Sequence, residues 1–239
     1  MTHTRSVKTA GVITAFAAII LAGMVNSSKG VAAREDETGD QREESKIRRG
    51  FEIAPVPLNL QGKNRALVGM GSYIVNVVGD CNGCHSAGPQ TEFAGGGNPY
   101  QLSPPFSGTA EINTGNYLGG GRDFGPFGAP PQIPHLYSRN LTPDKTGLPA
   151  GGHTYGEFVQ IMRQGTDFDH VHPNCTAPGT PTNCLAPPFN GELLQVMRWP
   201  FFRNMTDHDL RAIYEYLSAI PCNPGKVIAG APYLQNVCE

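Results

Sequence analysis

Apolar residues recur at helical spacing in three stretches of the chain. Between Asn64 and Val78 they fall at Leu67, Met70, Gly71, Ile74, Val77 and Val78, which predicts a helix. The β-branched end of that stretch would also suit a strand. A second helix is predicted from Thr154, which forms a capping box with Glu157 three residues on. Phe158, Ile161 and Met162 make its stripe, and Gly165 is a natural stop. The third signal is the clearest. Thr206 reads as the N-cap, Asp207 and Asp209 suit the positive helix end, and Leu210, Ile213, Tyr214 and Leu217 share one face before Pro221.

Upstream of these stretches the pattern is that of an address followed by a spacer. Arg5 and Lys8 precede an uncharged run over 10–25, and small residues lead to Ala33. Residues 1–33 therefore read as a secretory signal cleaved near Val31-Ala32-Ala33, or as a retained N-terminal anchor. Either reading exports the remainder to the periplasm or cell envelope. Residues 34–50 hold 11 charged side chains in 17 and no aromatic one, so 34–54 is predicted to be a charged, disordered linker. The single folded domain then spans 55–239.

Composition narrows the classes. The chain has 239 residues, enough for one sizeable core. Only 16% of residues are charged and the net charge is −2, so nothing marks a nucleic-acid binder. The apolar residues, 39% of the total, are not gathered into repeated spans, which excludes a polytopic membrane protein. Loss of residues 1–33 removes Arg5, Lys8 and Lys29 and no acid, making the exported chain more acidic. Gly 30 and Pro 21 point to long loops, above all 86–135, where 11 Gly and 8 Pro occur in 50 residues. Such a loop reads as a docking or cofactor-wrapping segment, or as a disordered insertion. Its triple-glycine runs are not followed by Lys-Ser/Thr, so a phosphate cradle is rejected.

The candidate chemistry lies in the six cysteines. Cys81-Asn82-Gly83-Cys84-His85 is the attachment pattern for haem c. Two thiols three positions apart share one side of a helical turn, where they can add across the two vinyl groups of a haem. The adjacent His85 then faces the iron as proximal ligand. A thioredoxin-like site would need a βαβ setting, and a structural zinc site a second CxxC or an HxxxH; neither is present. Cys175, Cys184, Cys222 and Cys238 are even in number in an exported chain, so disulfides are expected. Spacing favours Cys175–Cys184 and Cys222–Cys238.

With these motifs the chain resembles the class I cytochrome c superfamily, in particular the larger single-haem type of bacterial envelopes. The resemblance runs over roughly 60–221. It is carried by CNGCH after a helix, by Asn140-Leu141-Thr142-Pro143-Asp144 before the middle helix, and by Val196-Met197-Arg198-Trp199-Pro200 and Met205-Thr206-Asp207-His208-Asp209-Leu210 before the last. It implies an all-α cytochrome c fold with long Gly/Pro-rich loops, one covalent haem c, His–Met axial ligation and electron transfer. One departure is Arg198, which stands where relatives often carry Pro after the ligand methionine.

Met197, Met205, Met162, His135, His170 and His172 are the candidates for the sixth ligand. Met162 belongs to the middle helix stripe, and Met205 with Leu210 has the spacing of a hydrophobic staple. Met197 has no periodic partner and lies near Trp199 and Phe201, so it is the expected ligand. His170 and His172 offer a bis-histidine alternative. Arg139 and Asn140 are candidates for the haem propionates, Trp199 for the haem surroundings, and Pro143 for the carbonyl that orients His85. The expected function is single-electron transfer with redox partner proteins: a dehydrogenase, an oxidase or other cytochromes. A haem enzyme or gas sensor with an open or displaceable distal site is the alternative.

Overall fold

Each predicted helix begins at a side chain that satisfies its first amide groups. In a computed structural model, which describes residues 39–104, 108–127, 134–176, 183–228 and 235–239, Asn64 Oδ1 accepts from the Ala66 and Leu67 amides. Helix α1 is Gly39–Ile53, and α2, Arg65–Tyr73, follows this Asn64 cap. A π-helical turn, Ile74–Val78, extends α2, closed by the Gly79 N–H on the Ile74 carbonyl. Short helices α3, Cys81–His85, and α4, Pro89–Glu92, come next. After the antiparallel ribbon of β1, Asp123–Pro126, and β2, His135–Tyr137, the chain forms α5, Pro149–Gly152, and α6, Tyr155–Gln164. Helices α7, Trp199–Phe202, and α8, Asp207–Leu217, complete the order. The fold is thus mostly helical, and the ribbon is an addition to the all-α expectation.

The sequence signals at α6 and α8 correspond to real caps. Thr154 and Glu157 exchange both capping-box bonds, and Gly165 ends α6 in the left-handed region at φ 73°. Thr206 accepts from the Asp209 amide at the start of α8.

The core forms where α2 crosses α8. Val68, Met70, Ile74 and Val75 meet Leu210, Ile213, Tyr216 and Leu217, with Phe158 and Met162 of α6 alongside. A Cβ at Gly71 would collide with the Ala212 carbonyl, so this crossing requires glycine for close approach. One group of interior polar side chains is mutually satisfied: the Tyr117 hydroxyl donates to Asn76 Oδ1 at 2.6 Å and lies 2.7 Å from the Tyr216 hydroxyl.

The chain divides into two compact units, Met1–Glu43 and Glu44–Glu239. Of the first, only the opening turn of α1 is described, and the expected signal or anchor lies outside the described residues. In the second, α1 corrects the expected disordered linker. Its charges point outward, while Ile47 and Phe51 pack on the core and Gly50 is buried against Gly69 of α2. The Ser72 hydroxyl donates to the Gly50 carbonyl at 2.7 Å. A few small or apolar positions dock a helix that is otherwise mostly charged or polar. Among the described residues, no helix is long and apolar enough to cross a membrane.

Candidate functional site

The local chain course around Cys81 turns the three residues of the motif onto one wall. Asp80 adopts a left-handed conformation at φ 44°, which breaks from the π-helical turn and starts α3. The Arg122 Nη1 donates to the Gly83 carbonyl at 2.6 Å, and Asn82 Oδ1 accepts from the Leu118 amide at 3.0 Å. Both bonds tie the motif to the glycine-rich loop, parts of which therefore have a structural role. Cys81, Cys84 and His85 all line a cavity of about 210 Å³ bounded mainly by apolar side chains, Ile74, Leu141, Phe158 and Ile213 among them.

The six cysteines divide as their spacing suggests. Cys175 pairs with Cys184 and Cys222 with Cys238, while Cys81 and Cys84 remain thiols. Burial, followed by the neighbouring Asp80 and Cys84, pushes the Cys81 thiol up to about 12. It is protonated at neutral pH. Among the described residues, no three His, Cys, Asp or Glu side chains gather around a metal-sized site.

His85 is held at one nitrogen. Its Nδ1–H donates to the Arg139 carbonyl at 2.7 Å, which leaves Nε2 with its lone pair. Burial lowers its pKa, outweighing the carbonyl bond, so the ring is neutral. The acceptor is Arg139 and not Pro143, and backbone pairing explains why. The Gly121 amide takes the Ser138 carbonyl and the Leu141 amide takes the Leu118 carbonyl, while the Gly120 amide donates to the His85 backbone carbonyl. The extended run at 138–141 alternates direction, so the Arg139 carbonyl faces the histidine.

Three thioethers reach the cavity: Met162, Met197 and Met205. Met197 and Met205 also pack against the core. His172 also lines the wall, its Nδ1–H donating to the Asn183 carbonyl at 2.8 Å. His170 and His135 lie away from it, beside Glu192 at 3.4 Å and Asp123 at 2.9 Å. Sequence reasoning missed His153, which lines the cavity between Glu157 at 3.8 Å and Asp169 at 3.9 Å. Its place directly before the α6 cap gave no sign of that exposure to the site.

The remaining candidates separate cleanly. Arg139 lines the cavity, but its Nη2 is committed to both carboxylate oxygens of Asp167, at 2.9 and 3.0 Å. Asn140 is off the wall: its Nδ2 donates to the Asn223 carbonyl and its Oδ1 accepts from Thr142. Pro143 is also off the wall, its carbonyl accepting from Asn236 Nδ2. Trp199 covers Gly165, where any Cβ would strike its ring, and donates from Nε1 to the Leu194 carbonyl at 3.1 Å. Arg198 does reach the wall, its guanidinium 4.6 Å from the Phe201 ring centre.

The residues present fit a haem c. A single short helix brings two thiols and a neutral, oriented imidazole to one side of an apolar cavity, with thioethers elsewhere on its wall.

No family model matches the chain, and no solved structure matches it. Among curated proteins, it is 28% identical over 152 residues to the cytochrome c subunit of alcohol dehydrogenase (quinone) of Gluconacetobacter polyoxogenes, and equally to that of Komagataeibacter europaeus. It is 27% identical over 155 residues to the gluconate 2-dehydrogenase cytochrome c subunit of Pantoea cypripedii. These alignments cover 63–64% of this chain and 21–23% of the relatives, so the chain spans about a fifth of their length.

Proposed function

We propose that the chain is an exported, single-haem cytochrome c that carries one electron at a time between redox partner proteins and is not itself an enzyme. The observation that carries this reading is the placement of Cys81, Cys84 and His85 on one wall of an apolar cavity, with His85 oriented by the Arg139 carbonyl. The similarity to cytochrome c subunits of two dehydrogenases supports it.

Cys81 and Cys84 would hold the haem through thioether bonds, and His85 would be the proximal ligand. Met197 would fill the sixth position, because Met162 is taken into the α6 stripe and Met205 has the spacing of a hydrophobic staple with Leu210. When bound, haem c supplies an iron that alternates between ferric and ferrous states. The apolar wall excludes water, and a thioether ligand there favours the ferrous state. With both axial positions filled, no site remains for a substrate.

The donor and acceptor would be a dehydrogenase, an oxidase or another cytochrome of the periplasm or cell envelope, with membrane attachment only through residues 1–33 if these are retained. The acidic exported chain would favour a basic rim on one partner, a preference that weakens with salt.

A second reading, a haem enzyme or gas sensor, draws on His172 and Arg198, which put polar groups on the cavity wall.

The test of haem attachment is a haem stain on a denaturing gel after maturation in an exporting host. The wild-type chain is expected to stain and the Cys81→Ala/Cys84→Ala variant is not. An unstained wild-type band contradicts the reading.

A further inference from the structure

Resting on the haem-carrier reading, we propose that Asp167 is a positioning residue for His85, acting through Arg139. The two ends of Arg139 do different work. Its carbonyl accepts from His85 Nδ1–H at 2.7 Å, and its guanidinium donates from Nη2 to both oxygens of Asp167 at 2.9 and 3.0 Å. This ion pair is shielded: the side chains are 18% and 7% exposed. A second carboxylate, Asp169, stands 3.7 Å from Nη1. The clamp is therefore a charge-assisted contact in a weakly screened setting, stronger than an exposed pair.

Asp167 is itself held by the segment that leads to Met197. Its amide donates to the Glu192 carbonyl at 2.9 Å, Thr166 bridges Leu193, and the Leu194 amide donates to the Gly165 carbonyl at 2.7 Å. Trp199 closes the same segment by its bond to Leu194. A contiguous run of hydrogen bonds thus joins the 192–199 segment to the proximal histidine, with the Asp167–Arg139 pair as its middle link. Arg139 Cα is one bond from the carbonyl that His85 uses, so a guanidinium released from Asp167 and drawn toward water disturbs that carbonyl directly. A weaker bond at Nδ1–H makes the imidazole a poorer donor to iron and favours the ferrous state.

The alternative is that the two residues act on the haem only through their charges. Three variants of the full chain, matured with haem, separate the accounts: Asp167→Asn, Arg139→Gln and the two combined. Positioning predicts that the ferrous fraction at a fixed ambient potential rises in all three. It also predicts that the hyperfine-shifted proton resonances of His85 move in the same direction in each ferric variant. Charge alone predicts a higher ferrous fraction for Asp167→Asn, a lower one for Arg139→Gln, and a wild-type value for the charge-balanced double variant, with His85 resonances unmoved. That pattern overturns the proposal. If either single variant fails to mature, the double variant decides the matter alone, since the two accounts predict different potentials for it. A wild-type chain lacking covalent haem would instead refute the haem reading itself.

Discussion

The carbonyl of Arg139 and the Nδ1 of His85 are 2.7 Å apart across 54 residues of sequence. This one contact fixes the tautomer of the ring and aims its other nitrogen into the cavity that the two thiols share.

The three thioethers on the cavity wall have different expected effects. Met162→Ala removes a buried side chain from α6 and should cost about 2–5 kcal/mol of stability while leaving the low-spin spectrum intact. Met197→Ala should abolish the low-spin ferrous spectrum and lower the reduction potential. Visible spectra and urea melts of both variants check this; an unchanged Met197→Ala spectrum rejects Met197 as ligand.

The α2–α8 crossing should tolerate no side chain at Gly71. Because its Cβ would meet the Ala212 backbone rather than a movable side chain, Gly71→Ala should cost about 1–3 kcal/mol. Thermal or denaturant unfolding of the haem-loaded protein measures the loss, and a melting curve equal to wild type would contradict the crossing.

The capping box of α6 gives a pH dependence. Bonds from the Thr154 amide and then the Thr154 hydroxyl hold the Glu157 carboxyl below its usual value. Its contribution is fully present above the unfolded value of about 4.3 and is lost as pH falls through the lower folded value. Glu157→Gln should therefore flatten the stability profile in that acidic window, as urea midpoints across it would show. Thr154→Ala should cost about 1 kcal/mol at neutral pH.

The disulfide Cys222–Cys238 secures the tail that carries Asn236, whose side chain bonds the Thr142 and Pro143 carbonyls. Replacing both cysteines by alanine should cost about 3 kcal/mol. Denaturant unfolding with haem stain as a control measures it; an unshifted midpoint would show that the tail adds nothing.

What could be read from the sequence was local. Thr154 with Glu157, Gly165 and Thr206 mark their helix ends through bonds spanning three or four residues, and the short-loop cysteine pairings are of the same kind. Contacts made at long range were not visible. Helix α1 looks like a solvated spacer because Ile47, Phe51 and Ile53 are the apolar side chains in a charged stretch, and the close approach at Gly50 depends on Gly69 being opposite. The sequence points to Pro143 as the partner of His85, but the backbone pairing of 118–121 with 138–141 presents Arg139 instead. His153 and Asp167 look like ordinary polar loop residues until the cavity brings them together with residues from distant segments.

A closed, six-coordinate haem that only carries electrons is tested by the visible spectrum of the purified ferrous protein before and after carbon monoxide. A closed site should give a sharp low-spin spectrum that carbon monoxide leaves unaltered. Rapid conversion to a carbon monoxide adduct would contradict it and favour the haem enzyme or gas sensor.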